Sequence, residues 1–156
     1  MATRGNDRRA GRWLAAVLCA LALGACQSMP MDGMGMAKEK SLYDRLGGQP
    51  AIVAVVDDFV GNVAADDRIN RFFAHTDIPR LKMMLVAQVC QATGGPCTYT
   101  GADMKTVHRG MNISDAQFDA LVGDLKRSLD KFKVPAKEQG ELLGTLGSLR
   151  PQIVRQ

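Results

Sequence analysis

The residues able to do chemistry are few. The chain holds two histidines, His75 and His108, and four cysteines, Cys19, Cys26, Cys90 and Cys97. An imidazole can serve as a base, a proton shuttle or a metal ligand. A serine or cysteine nucleophile would need such a base beside it. Neither histidine stands in a recognisable nucleophile motif, and no phosphate-binding loop or zinc-ligand spacing is present. His108 lies in "GADMKTVHRGMNIS", residues 101–114, between a short amphipathic run and a helix start. It reads either as a single metal ligand or as a capping histidine near a helix end.

The cysteines are sorted by the N-terminus. Arg4, Arg8, Arg9 and Arg12 precede the apolar run "WLAAVLCALALGAC", which is short for a membrane span and fits a secretory leader. Its end, Leu23-Gly24-Ala25-Cys26, resembles the lipobox of bacterial lipoproteins. The resemblance implies a signal peptide over 1–25 and an acylated Cys26. It also implies a periplasm-facing protein held at the outer membrane, because Gln27 is not the aspartate of inner-membrane retention. Removing the leader takes four of the 20 basic residues and one of the 16 acids, which leaves a net charge of +1. No basic stripe for nucleic acid remains. Cys90 and Cys97, in "CQATGGPC", are then the cysteines left over. In an oxidising compartment such a pair suggests a disulfide, whereas a metal site needs more ligands than the two.

The elements that must position His108 read as helices. Residues 26–40 lack periodicity and form the linker. Met29, Met31, Met34 and Met36 within it read as a flexible tether or as soft copper ligands. Residues 41–156 form the domain. Ser41 caps a short helix that stops at Gly47-Gly48. Ile52, Val55, Val56, Phe59, Val60 and Val63 recur at helical spacing despite their β-branched character. "RINRFFAHT" reads as a turn. Asp77 and Pro79 open a helix that ends before Gly94-Gly95, and "DMKTVHR" is a short helical piece. Ser114 and Gln117 make a capping box for a helix to about Lys133, with Ile113, Phe118, Leu121, Val122, Leu125 and Leu129 on one side. A last helix runs from near Pro135 and fades after Pro151. No stretch reads as a strand, so the fold class is all-α.

In this order and spacing, "SLYDRLGG", "DDRINRFF", the second Gly-Gly and "YTGADMKTVH" resemble the group 1 truncated haemoglobins. The resemblance covers about residues 41–154. It implies a two-over-two helical sandwich around one haem b (iron protoporphyrin IX), with His108 as the proximal ligand of the iron. It places Phe73 against the haem face, Met104 and Val107 beside the ligand, Tyr99 near the haem edge and Phe118 on the proximal side. It also implies binding of O2, NO and CO, and allows an unidentified reductase as partner.

The distal positions depart from the family. Val60 stands where a tyrosine is usual, and Leu81, Met84 and Leu85 occupy positions that often carry polar residues. None of the four donates a hydrogen bond. Such a pocket favours CO and NO over O2 and ranks ligand binding above NO dioxygenase or peroxidase-like catalysis. Met84 is the candidate sixth ligand if the protein instead transfers electrons. His75 is a second candidate for the haem edge.

Overall fold

A computed structural model describes residues 39–156. The leader, Cys26 and most of the linker lie outside the described residues. Among the described residues six helices follow in order: α1 (Leu42–Arg45), α2 (Gly48–Ala65), α3 (Ile78–Ala92), α4 (Met104–His108), α5 (Asp115–Lys131) and α6 (Ala136–Gly147). Single 3-10 turns lie at Asn70–Phe73 and Arg150–Gln152.

The starts are set by side chains that satisfy orphan backbone N–H groups. Ser41 accepts from the Asp44 N–H, Asp77 from Arg80, Asp103 from Thr106 and Ser114 from Gln117. Gln117 answers with its own side chain on the Ser114 N–H at 2.9 Å, which completes the capping box. Between α1 and α2 the chain reverses through Gly47 and Gly48, at φ 98° and 72°, where a side chain would be strained.

α2 is the centre of the domain. It packs against both α3 and α5, and α5 packs against α6. The six apolar residues that the spacing places on one face of α2 are all buried. Each such side chain contributes roughly 1.5–3 kcal/mol by leaving water, enough in sum to override the weak helix propensity of valine and isoleucine. Val55, Leu129 and Leu142 form a second cluster beside an apolar cavity of about 140 Å³.

Two helix ends differ from the sequence reading. α5 stops at Lys131, not Lys133, because Lys133 turns left-handed at φ 56° and lets the Val134 N–H return to the Leu129 carbonyl at 3.0 Å. This is a Schellman-type stop with lysine in the place usually given to glycine. α6 ends at Gly147 and is followed by the separate turn over Arg150–Gln152.

The face of α5 is also more polar than expected. Asp124 and Ser128 are fully buried beside Leu129. Asn62 donates to Ser128 Oγ at 2.8 Å, and Ser128 donates to Asp58 at 2.9 Å. Burial pushes the Asp124 carboxyl up, and the Asp66 charge adds to the shift. Asp66 moves the other way: the Arg68 side chain bonded to it holds its carboxyl at about 2.

A disulfide joins Cys90 near the end of α3 to Cys97 in the following loop, with Cα atoms 5.7 Å apart. Closing so short a loop stabilises the chain by about 2–3 kcal/mol. Gly95 lies inside it, where a Cβ would come within 2.6 Å of the Tyr43 ring and 2.7 Å of Cys90 Sγ. Only glycine fits that loop without displacing one of them.

Candidate functional site

α4 is one turn long and delivers His108 as its last residue. Asp103 holds its start through both carboxylate oxygens, one on the Thr106 N–H at 2.9 Å and one on the Thr106 hydroxyl at 2.7 Å. Those bonds hold the Asp103 carboxyl below its usual range. His108 Nδ1 lies 2.7 Å from the Met104 carbonyl oxygen. A carbonyl can only accept, so Nδ1 donates, and in the neutral ring that tautomer leaves the lone pair on Nε2. The same bond fixes the rotation of the ring, as backbone carbonyls do for metal-bound histidines.

Gln91 joins α3 to the segment leading into α4, Gln88 joins it to α4 itself, and Tyr99 also bonds within the segment. The Tyr99 N–H donates to Gln91 Oε1 at 2.6 Å, and the Tyr99 hydroxyl donates to the Ala102 carbonyl at 3.0 Å. Gln88 Nε2 lies 3.4 Å from Met104 Sδ, a weak acceptor. Gln88 was not among the residues singled out from sequence. Its signal is spacing: it lies four residues beyond Met84, on the face shared with Leu81 and Leu85.

The structure brings some of the expected residues together and leaves others apart. Val60 is 7% exposed in the main core cluster, with Phe73 and Leu85 packed against that cluster. Leu81 and Met84 are half-buried on α3 and belong to neither core cluster. Phe118 is buried on α5, with the Arg150 guanidinium 4.9 Å above its ring. Tyr99 and Met104 are half-buried. Val107 is 49% exposed, and His75 is exposed beyond the first 3-10 turn.

Among the described residues no three side chains of the His, Cys, Asp or Glu type gather into a metal site. A single imidazole that can offer Nε2 suits a metal that arrives with its other ligands. Iron in a porphyrin is such a metal, and globins hold it through one histidine. The aromatic and aliphatic surfaces of Phe73, Leu81, Leu85 and Phe118 suit the apolar faces of that macrocycle.

A family model described as bacterial-like globin matches residues 41–155. The chain is similar to the group 1 truncated hemoglobin GlbN of Mycolicibacterium paratuberculosis, 40% identical over 117 residues that make up 75% of this chain and 86% of the relative. Its fold is similar to the truncated hemoglobin of Tetrahymena pyriformis in its Fe(III) form. The TM-score is 0.73 at 29% identity, over 75% of this chain and all of that one. It is also similar to the 2/2 hemoglobin of a Synechococcus species, a cyanomet form with covalently attached heme. There the TM-score is 0.68 at 32% identity, over 72% of this chain and 95% of that one. Haem b is the cofactor of such globins, and diatomic gases are their ligands. By the family match and the helical architecture together, the chain belongs to the group 1 truncated haemoglobins.

Proposed function

We propose that this chain holds haem b through His108 Nε2 and binds O2, NO and CO on the opposite side, beneath α2 and α3. The single observation that carries the assignment is the bond from His108 Nδ1 to the Met104 carbonyl, which leaves Nε2 as the free donor atom. Haem, when bound, would supply the iron that takes a diatomic gas. The protein supplies the rest. Phe73 and Phe118 cover apolar surface, and Val60, Leu81 and Leu85 exclude water without offering a hydrogen bond. The purified ferrous protein should show a Soret band corresponding to one haem per chain. A stoichiometric haem-free chain that takes up no added haem would sink this reading. A six-coordinate spectrum without added ligand would instead point to a sixth ligand from the chain, with Met84 the first residue to substitute and His75 the second.

The sequence "LGAC" supports a second part of the proposal: the globin is tethered to a membrane by lipid on Cys26 and faces the periplasm. Acyl chains anchor by burying CH2 groups at roughly 0.8 kcal/mol each. In cell fractions the wild type should sediment with membranes, and Cys26→Ser should move to the soluble fraction. A Cys26→Ser protein that stays with membranes rules the lipid anchor out.

A further inference from the structure

The segment after His108 has few residues in which to reach α5. It reverses through two left-handed positions, Gly110 at φ 80° and Asn112 at φ 48°. The Met111 N–H returns to the His108 carbonyl at 3.1 Å. Beyond that point the loop is held by the far end of the chain. The Asn112 N–H donates to the main-chain oxygen of Gln156 at 3.1 Å, and the Arg155 N–H donates to the Ile113 carbonyl at 3.0 Å. Ile113 and Val154 thereby form a parallel bridge, the one extended pairing among the described residues.

Side chains fasten the same place. Asp115, in the first turn of α5, accepts from Arg150 on one carboxylate oxygen and from Arg155 on the other, both at 2.7 Å. Arg150 also bonds Asp119 at 2.7 Å, with its guanidinium over Phe118. The Arg150–Gln152 turn packs directly against α4. Residues 150–156 therefore touch the histidine's helix, the loop that follows it and the start of α5.

We infer that this C-terminal segment is a clasp whose role is to position His108, with Asp115, Arg150 and the Arg155 backbone as its fastening points. The inference rests on the proposed ligation by His108. A one-turn helix has little stability of its own. The His108 ring is tied to the Met104 carbonyl within that helix, so the ring follows wherever the helix tilts. Asp103 and Gln88 hold the start of α4. The clasp holds the other end, and without it α4 pivots about its start and changes the tilt of the imidazole on the iron.

Arg155 offers a discriminating pair of variants because its φ is 59°. Arg155→Gly suits that conformation and keeps the N–H, losing only an ion pair whose arginine is 79% exposed. Arg155→Pro cannot adopt it and has no N–H to give Ile113. The experiment reads the iron–histidine stretching frequency of the ferrous, ligand-free proteins by resonance Raman. It also reads the rate of haem transfer to an excess of a haem-free acceptor globin. Arg155→Pro and Asp115→Asn should shift the frequency and speed haem loss by about three- to tenfold, the factor that one net hydrogen bond commands. Arg155→Gly should keep the wild-type frequency. If Arg155→Pro does not fold, Asp115→Asn decides alone. Unchanged frequency and unchanged haem loss in the folded variants, even with a lowered melting temperature, would overturn the clasp. A wild type that takes up haem but shows no iron–histidine band overturns the ligation by His108 itself, and the clasp with it.

Discussion

His108→Ala should yield a folded chain that no longer retains haem. The alanine removes the one imidazole placed in the site, and His75 is exposed beyond the first 3-10 turn. The helices should survive, because His108 is the last residue of a one-turn helix and belongs to neither core cluster. The expected result is loss of the stoichiometric Soret band with far-ultraviolet circular dichroism retained. Imidazole added from solution should restore haem binding in part, since the space left by the side chain suits that ring. A variant that keeps the wild-type Soret band and one haem per chain would show that another group holds the iron.

The second large effect concerns O2. Val60 is almost fully buried on α2, with Phe73 and Leu85 packed on the same cluster. Val60→Tyr introduces a phenol donor at that place, and Val60→Phe introduces the same bulk without the donor. A net hydrogen bond is worth about 0.5–1.5 kcal/mol, and more when the acceptor carries charge. Each 1.4 kcal/mol is about tenfold in an equilibrium or rate ratio. O2 should therefore leave Val60→Tyr at least several-fold more slowly than it leaves Val60→Phe. CO, which gathers less charge as a ligand, should separate the two variants much less. Both bulky residues carry a packing cost in so tight a core, which is why phenylalanine and not valine is the proper reference. Equal O2 release from the two, at the slow rate of the tyrosine protein, would mean that a donor is already present. Gln88, the amide on the same face of α3, is then the first residue to substitute.

How much of this was legible in the sequence depends on the range of the interaction. The buried face of α2 follows from six residues at helical spacing, because burial of that stripe is a local pattern. Ser41, Asp77 and Ser114 announce their helices because a cap is a contact across three residues. The end of α5 is not announced, since a lysine takes the left-handed turn. The bridge between Ile113 and Val154 and the burial of Asp124 join distant parts of the chain, and no local periodicity records them. The site divides the same way. His108 stands out as one of two histidines, but its role comes from the family resemblance. Gln88 lies on a face read as apolar, and its partner Met104 is 16 positions away.

The brevity of α4 has a consequence for how folding and loading are connected. A helix leaves its first four N–H groups without partners inside it. In a helix of five residues few amides are then locked by the helix itself, and the Val107 N–H returns to Asp103 at 3.0 Å as one of them. Native-state hydrogen exchange should find this turn opening locally, at far lower free energy than α2, whose six buried residues open only with the whole domain. A ligand that grips His108 favours the closed form, so part of its binding free energy goes into ordering this turn. By linkage, the turn becomes more resistant to exchange as the ligand concentration rises above its dissociation constant. On the proposed ligation by His108, the persistence of this turn rises with the supply of haem.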